Sequence, residues 1–214
     1  MPLGMSDRVG AAVFAKAPIA GFAKTRLIPS LGANGAADLQ RQLIEHTVEV
    51  ALASNIGPVS LWCAPSCQHE LFSWLAANRE IELCDQSGAD LGERMLDAFE
   101  RLTPDSPIIV IGTDCLVLET SHLIDCADLL RQGRDAVFLP TEDGGYALVG
   151  AAKPWPDIFR DMPWGTDRVM AETRLRARQI GLQIAEPTLL WDIDTPQDYE
   201  RAAGSGLLDH LNRS

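Results

Sequence analysis

The chain has 214 residues and carries 30 acidic against 18 basic side chains, a formal net charge of −12. This acidic balance argues against a broad nucleic-acid or anionic-membrane surface, and no apolar run approaches the ~20 residues that a membrane span needs. The first residues lack an apolar signal core, so a cytoplasmic protein is expected. The length and the ordinary apolar content of 46% predict a single globular domain over residues 1–214.

Apolar runs and amphipathic segments alternate along the chain. In order, the pattern predicts strand 9–15, helix 35–53, strand 59–63, helix 70–77, strand 81–84, helix 90–102, strand 107–112, helix 121–132, strands 136–139 and 146–149, helix 166–180, a strand ending near 191, and a last helix starting at 195–196. This alternation predicts an α/β domain with a mostly parallel sheet flanked by helices. Ligands bind beyond the carboxyl ends of such strands, so functional residues are expected in the loops that follow them.

The loop after the first strand reads FAKAPIAGFAKTRL over residues 14–27. It holds two of the three lysines in the chain, Lys16 and Lys24, together with Arg26, and Gly21 lets a ligand approach the backbone closely. Backbone N–H groups and cations suit a pyrophosphate. The loop is not a P-loop, because both glycines of that motif are missing. A solvated basic turn is the alternative interpretation.

Carboxylates follow two other predicted strands. Asp114 lies in GTDC after the most apolar strand, and Asp192 and Asp194 lie in WDIDTP near the last helix. A carboxylate at a strand exit can bind Mg²⁺ or Mn²⁺ while the metal bridges two phosphates. If both loops lie at one edge of the sheet, Asp114 and one of the other two acids could share a metal. Capping of a turn or a helix is the alternative for each acid.

Three further segments combine glycine with polar or aromatic residues. DGGY, from Asp143, is typical of a hairpin turn, or it contacts a sugar or acceptor. WGTD, from Trp164, offers an aromatic face and N–H groups to a ligand, or it is a core tryptophan followed by a helix cap at Thr166. Gly92 lies in the first turn of helix 90–102, where glycine costs ~1 kcal/mol, which indicates that something approaches closely.

Six motifs occur in one order: FAKAPIAGFAKTRL, QSGADLGERM, GTDC, PTEDGGYALVG, WGTD and DIDTP. Together, over residues 9–202, they resemble the small bacterial glycosyltransferases of GT-A fold, a family long known as a domain of unknown function in the nucleotide-diphospho-sugar transferase superfamily. The chain is more distantly similar to phospholactate guanylyltransferase and the molybdenum-cofactor nucleotidyltransferases. Three positions depart from the family pattern. Leu116 replaces a proline after GTDC, and Ala20-Gly21-Phe22 stands where the family usually has Pro-Gly-Arg.

The resemblance implies a Rossmann-like GT-A fold and a metal-dependent transferase that takes a nucleotide-sugar donor, Mg²⁺ or Mn²⁺, and a small-molecule acceptor. A nucleotidyltransferase that releases pyrophosphate is the alternative, and a non-catalytic nucleotide-binding protein is a third reading. Asp143 and Lys24 are the candidate catalytic residues, and Asp114 with Asp194 or Asp192 is the candidate metal site. The candidate nucleotide-binding residues are Ala15, Lys16, Gly21, Lys24, Thr25, Arg26, Asp90, Gly92, Arg94 and Thr113. The candidate acceptor-binding residues are Gly144, Gly145, Tyr146, Trp164, Gly165 and Thr166.

Overall fold

A computed structural model describes residues 8–103 and 106–211, so the ends of the predicted domain, 1–7 and 212–214, lie outside the described residues. The strands are β1 (Gly10–Lys16), β2 (Val59–Ala64), β3 (Ile81–Asp85), β4 (Ile108–Gly112), β5 (Ala136–Pro140), β6 (Tyr146–Ala151) and β7 (Ile184–Ala185). The helices are α1 (Ile28–Ser54), α2 (Glu70–Asn78), α3 (Leu91–Leu102), α4 (Thr120–Arg131), α5 (Val169–Gln179), α6 (Pro196–Gly204) and α7 (Leu207–Leu211).

The described strands form one sheet in the order β3-β2-β1-β4-β6-β5-β7. β6 runs antiparallel to both of its neighbours, and the other pairings are parallel, which confirms the predicted mostly parallel α/β sheet. Because β5 and β4 are both antiparallel to β6, their carboxyl ends lie at the same side of the sheet as those of β1, β2 and β3. We call this side the carboxyl edge.

The unbroken apolar sequence of β4 reflects burial on both faces of the sheet. Ile109 and Ile111 pack in a core cluster with residues of α1, α2 and α4. Ile108 and Val110 point the other way, into a second cluster with residues of α3 and α5. Full burial of each such side chain contributes roughly 1.5–3 kcal/mol, so the two clusters hold β4 and its loop in a fixed position.

The ends of the chain's later elements differ from the predictions. α5 starts at Val169, after a turn in which the hydroxyl of Thr166 donates to the carbonyl of Pro163 (2.7 Å) and accepts from the N–H of Arg168 (3.4 Å). The strand expected near residue 191 is a single bridge between Thr141 and Leu190, and the short β7 was not predicted. α6 does begin with the predicted Thr195 cap, but α7 follows it, so α6 is not the last helix.

Two other properties of the described residues bear on the predictions. The five cysteines are all free, and only Cys67 is not buried. None of the helices in residues 8–103 and 106–211 combines the length and apolar content that crossing a bilayer requires.

Candidate functional site at the carboxyl edge

Three loops meet at the carboxyl edge: residues 17–27 after β1, 113–119 after β4, and 190–195 before α6. The backbone N–H of Ile193 donates to the carbonyl of Asp114 at 2.8 Å, which joins the second loop to the third. Leu27 of the first loop, Leu116 of the second and Ile193 of the third share one small apolar cluster. Leu116, the residue that replaces the family's proline, is 5% exposed and fills this cluster. The leucine that departs from the family pattern therefore contributes to the packing of the three loops.

The ammonium of Lys24 lies between two carboxylates at this junction. Its Nζ is 2.7 Å from Oδ1 of Asp114 and 3.0 Å from Oδ1 of Asp194, and it donates to the carbonyl of Ile193 at 2.6 Å. The Lys24 side chain is 5% exposed. Burial acts to lower the pKa of this ammonium, but the two carboxylates outweigh it and raise the pKa above its ordinary value. Lys24 is therefore a permanent cation in this arrangement.

Asp192 lies beside this ion pair with one oxygen unsatisfied. Its Oδ1 is buried and has no hydrogen-bond partner among the described residues. Burial, together with the negative charges of Asp114, Asp143 and Asp194, raises the pKa of Asp192 to about 8, although Lys24 acts against this. A buried carboxylate without a donor is costly, so this oxygen fits a ligand that brings positive charge. Clustered carboxylate oxygens suit Mg²⁺ or Mn²⁺.

The described side chains do not form a complete metal site in this arrangement. Within residues 8–103 and 106–211, no three His, Cys, Asp or Glu side chains converge closely enough to hold a metal. The prediction assigned a metal to Asp114 together with Asp194 or Asp192, and it assigned Lys24 to nucleotide binding and catalysis. In this structure the ammonium of Lys24 lies between Asp114 and Asp194 and serves as their counter-ion.

Asp143 closes the turn between β5 and β6 at the same edge. Its Oδ1 accepts from the hydroxyl of Thr141 (2.5 Å) and from the N–H of Gly145 (3.0 Å), as expected for a hairpin turn. The turn is tied to α6 through Glu142, whose carboxylate binds the guanidinium of Arg201 at 2.7 Å. The predicted hairpin is thus confirmed, and its carboxylate is near enough to Asp192 to influence the pKa of that residue.

The solvent side of the first loop carries four of the predicted nucleotide-binding residues. Gly21 is exposed with a φ of 84°, and a Cβ placed on it would meet open space. The Nζ of Lys16 donates to the carbonyl of Phe22 at 2.8 Å, and the guanidinium of Arg26 is 70% exposed and 3.9 Å from Asp194. Thr25 is also exposed. These groups remain available to a ligand at the carboxyl edge.

Other predicted nucleotide-binding residues have structural partners. Ala15 is buried in β1, and the hydroxyl of buried Thr113 accepts from the amide of Gln40 at 3.2 Å. Asp90 caps α3 by accepting from the N–H of Glu93 at 2.8 Å. The guanidinium of Arg94 donates to the carbonyl of Gly88 at 3.2 Å. Helix capping, which was not predicted for Asp90, therefore accounts for this residue, and the packing of β1 accounts for Ala15.

The aromatic residues predicted to bind the acceptor pack inside the protein. The ring of Tyr146 lies edge-on to Phe138 (5.2 Å between centroids) and to Trp164 (6.3 Å), and its hydroxyl is 4.0 Å from the sulfur of Met95. Burial raises the pKa of this hydroxyl. Of the alternatives weighed for Trp164, the core interpretation is the one supported, and Tyr146 belongs to the same apolar cluster.

The first glycine of the DGG turn is also required by contacts within the chain. Gly144 has a φ of 88°, and a Cβ there would lie 2.1 Å from the carbonyl oxygen of Asp167. Its own carbonyl accepts from the N–H of Met170 at 2.8 Å. The turn therefore docks on the WGTD segment. Gly145, Gly165 and Thr166 lie around this contact, and the last two are exposed.

Gly92 closely approaches another part of the chain, which gives its small size a structural reason besides the predicted nucleotide contact. A Cβ at this position would lie 2.2 Å from the carbonyl oxygen of Phe159 and 2.9 Å from Nε1 of Trp164. The glycine in the first turn of a helix, where it costs stability, correctly indicated that something approaches closely. The close neighbour is the segment before α5, which the amino-acid sequence does not identify.

We expect Gly92→Ala to lower the free energy of unfolding by about 1–3 kcal/mol, as overpacking in a core does. Gly204→Ala in α6 is the matched control, because open space surrounds Gly204 and alanine favours a helix. Urea denaturation of both variants measures the difference. Equal stability of the two variants would mean that Gly92 is not held by Phe159, and a ligand-contact role would have to be considered again.

Two side chains that hold the strand ends and loops of the site in position were not predicted from the sequence. The amide of Gln86 donates to the carbonyls of Trp62 (2.8 Å) and Ala15 (3.5 Å), which ties the ends of β2 and β1 to the loop after β3. Oδ2 of Asp198 accepts from the backbone N–H groups of Asp194 (3.2 Å) and Thr195 (2.8 Å). The T-x-x-D capping-box pattern could have identified Asp198. No local pattern marks the bonds of Gln86.

A groove of about 570 Å³ lies elsewhere, between α1 and α2. Arg41 on its wall is bound by Asp38 and Glu45, and Trp74 on the opposite wall is 49% exposed. None of the predicted site residues lines it. We place the site at the carboxyl edge and not in this groove, because the unpaired carboxylate oxygen and the buried ion pair lie at the carboxyl edge.

The sheet order, the acid-bearing loops at the carboxyl edge and the antiparallel β6 define a nucleotide-diphospho-sugar transferase fold. Residues 47–166 match the family described as an uncharacterized protein conserved in bacteria (DUF2064), and the chain belongs to this family. The resemblance noted from the motifs is thereby confirmed. No curated protein matches the chain in a sequence comparison.

Solved structures agree with this assignment. A proposed nucleotide-diphospho-sugar transferase from Desulfovibrio desulfuricans is 26% identical, with a TM-score of 0.80 and 97% of each chain covered. A 4-diphosphocytidyl-2C-methyl-D-erythritol synthase from Anaerococcus prevotii is 11% identical (TM-score 0.60, 93% and 96% covered). A CMP:2-keto-3-deoxy-manno-octonic acid synthetase bound to CTP is 11% identical (TM-score 0.58, 94% and 99% covered). The chain is a transferase of the nucleotide-sugar or nucleotidyl kind.

Proposed function

We propose that this protein is a metal-dependent transferase that uses a nucleotide-sugar donor bound at the carboxyl edge. The observation that carries the proposal is the unpaired, buried Oδ1 of Asp192 beside the Lys24 ion pair. In a chain with a net charge of −12, the loop from Lys16 to Arg26 is a local exception that offers cations to an anionic donor.

The acids would hold Mg²⁺ or Mn²⁺. Asp114 and Asp192 are the proposed ligands, with Asp194 next to them. Such a cation, when bound, neutralises negative charge on the leaving diphosphate. Lys16, Arg26 and the open backbone at Gly21 would bind the phosphates from the loop side, since exposed N–H groups and cations recognise phosphate oxygens.

Asp143 is the proposed base for the acceptor. Both of its hydrogen bonds, from Thr141 and Gly145, go to Oδ1. They fix the carboxylate on a tight turn at the carboxyl edge and direct Oδ2 to a separate position. A carboxylate held in this way can take the proton of an attacking hydroxyl. The exposed Gly165 and Thr166, next to this turn, would contact the acceptor through the backbone.

Nucleotidyl transfer is the second candidate. It is favoured by the solved structures of a 4-diphosphocytidyl-2C-methyl-D-erythritol synthase and of a synthetase bound to CTP, both of this fold. In that reaction the same loop would bind a nucleoside triphosphate, and Lys24 or Arg26 would stabilise the α-phosphoryl group during attack by an acceptor phosphate. A non-catalytic nucleotide-binding protein is the remaining reading.

The released product distinguishes these functions. Nucleotides and nucleotide sugars are first screened with Mn²⁺ for those that raise the melting temperature. Incubation of each stabilising nucleotide with candidate acceptors should release a nucleoside diphosphate, whereas pyrophosphate would establish the second candidate. Asp143→Asn should cut turnover by roughly 10²–10⁴-fold and leave nucleotide binding intact. Binding without turnover for every donor and acceptor would reject both enzymatic functions.

A further inference from the structure

Lys24 is part of the first loop and also part of the ion pair with the acids at the carboxyl edge. It lies in the loop that is proposed to bind phosphate, yet its ammonium points away from the exposed side of that loop and contacts Asp114 and Asp194. Lys16, eight residues earlier, shows the alternative: its side chain is exposed, and its Nζ bonds the carbonyl of Phe22 within the loop. The position of Lys24 is therefore a property of that one side chain and not of the loop's lysines in general.

The ammonium and a divalent cation compete for the same oxygens. With Nζ at 2.7 Å from Asp114, 3.0 Å from Asp194 and 2.6 Å from the Ile193 carbonyl, three oxygens surround one charge. A metal between these carboxylates would stand at a similar short distance from the ammonium, where two positive charges repel strongly. Either cation can occupy this place, but both cannot.

The segment around Lys24 has room to move. Lys24 itself has a left-handed backbone with a φ of 45° and precedes a single 3-10 turn, residues 25–27. Gly21 has nothing within 4 Å of its Cβ position, and Phe22 is 67% exposed. By contrast, the backbones of Asp114 and Asp194 are held by hydrogen bonds from the N–H of Ile193 and to the carboxylate of Asp198. The two acids therefore stay at one place in the chain, and the long side chain of Lys24 is the part that exchanges.

We propose that Lys24 is a resident counter-ion which closes the metal site until a nucleotide phosphate draws its ammonium away. The inference rests on the proposed function, since it assigns the order in which that site binds its ligands. Metal alone must displace a buried ion pair and binds weakly. A bound phosphate gives the ammonium a new anionic partner and frees Asp114 and Asp194, so metal and nucleotide each tighten the binding of the other, typically by about 5–150-fold.

The test measures Mn²⁺ binding to the full chain by electron paramagnetic resonance or calorimetry, without nucleotide. Lys24→Met, which keeps the length of the side chain and removes its charge, should bind Mn²⁺ at least about tenfold more tightly than wild type. Lys153→Met removes the charge of an exposed lysine outside the site without freeing a carboxylate and should change Mn²⁺ affinity far less. If Lys24→Met does not fold in chelator, Lys24→Gln, which retains a donor, provides the comparison.

A second arm measures the affinity for a nucleoside diphosphate in excess chelator, where Lys24→Met should bind more weakly than wild type. Unchanged or weaker Mn²⁺ binding by both Lys24 variants would overturn the inference, whatever the second arm shows. Tighter Mn²⁺ binding by the variants would support the competition between Lys24 and the metal even if wild type bound no nucleotide with or without metal. That last result would refute the proposed function and, with it, the release of Lys24 by phosphate.

Discussion

Asp114→Ala is expected to abolish the metal-dependent binding of a nucleoside diphosphate and to leave the protein folded. Asp114 follows the carboxyl end of the buried strand β4, and its carboxylate is 46% exposed, so truncation creates no core cavity. Lys24 keeps Asp194 and the Ile193 carbonyl as partners. Loss of a carboxylate that binds the metal directly should weaken the affinity for the nucleotide in the presence of Mn²⁺ by about 100-fold or more. Loss of a residue that only supports a metal ligand already weakens metal binding by about 10–100-fold.

Calorimetric titration of the nucleotide with Mn²⁺ measures this effect, and thermal unfolding checks the fold. Asp128→Ala is the matched control, because Asp128 is 52% exposed and pairs with an arginine at 2.8 Å on α4. Both variants lose a half-exposed carboxylate from an ion pair. The pair of Asp128 lies at the surface, where such pairs contribute about 0–1 kcal/mol, and the buried Lys24 keeps two other partners when Asp114 is removed. If Asp114→Ala and Asp128→Ala bind the nucleotide equally well in the presence of Mn²⁺, Asp114 is not a metal ligand.

Asp192→Asn is expected to stabilise the metal-free protein, and increasingly so as the pH rises. Burial and the neighbouring acids raise the pKa of Asp192 in the folded protein to about 8, against an ordinary value of 3.8. Between these two values the folded state holds a proton that the unfolded state releases, so the stability of wild type falls as the pH rises through this window. Asparagine keeps the shape of the side chain and removes the titration.

Urea denaturation in chelator at pH 5 and pH 9 measures this effect. We expect the stability advantage of Asp192→Asn over wild type to grow by about 2 kcal/mol or more between the two conditions, since an uncompensated buried charge costs at least that much. Asp125→Asn, an exposed substitution on α4, serves as the control for the removal of one acid. Mn²⁺ should raise the melting temperature of wild type more than that of Asp192→Asn. An advantage that shrinks with rising pH would contradict the burial of an unpaired carboxylate.

The strands and the edge that carries the loops could be predicted because both depend on local pattern. The continuous run in β4 indicated burial on both faces, and alternation of strands with helices indicated a mostly parallel sheet. The Asp143 hairpin and the Thr195 cap also followed from short-range chemistry, since each is formed by bonds within five residues. The start of α5 could not be predicted in this way, because Thr166 had a second bonding partner, the Pro163 carbonyl.

The candidate site was predictable as a set of loops, but the partners of its side chains were not. Gly92 and Trp164 were assigned to different ligands from different motifs, although the folded chain packs one against the other. Gln86 makes its bonds to residues 24 and 71 positions away, and such distances leave no trace in a local pattern.

By itself, the amino-acid sequence determined the family resemblance, the α/β fold and the concentration of lysine in one loop of an acidic chain. Only the tertiary structure decided what that lysine contacts. The choice of the Lys24 ammonium between phosphate and carboxylate depends on Asp194, 170 residues away, and on the hydrogen bond that joins Ile193 to Asp114. Electrostatic energy depends on distances of a few ångströms, which only the packing of the three loops establishes.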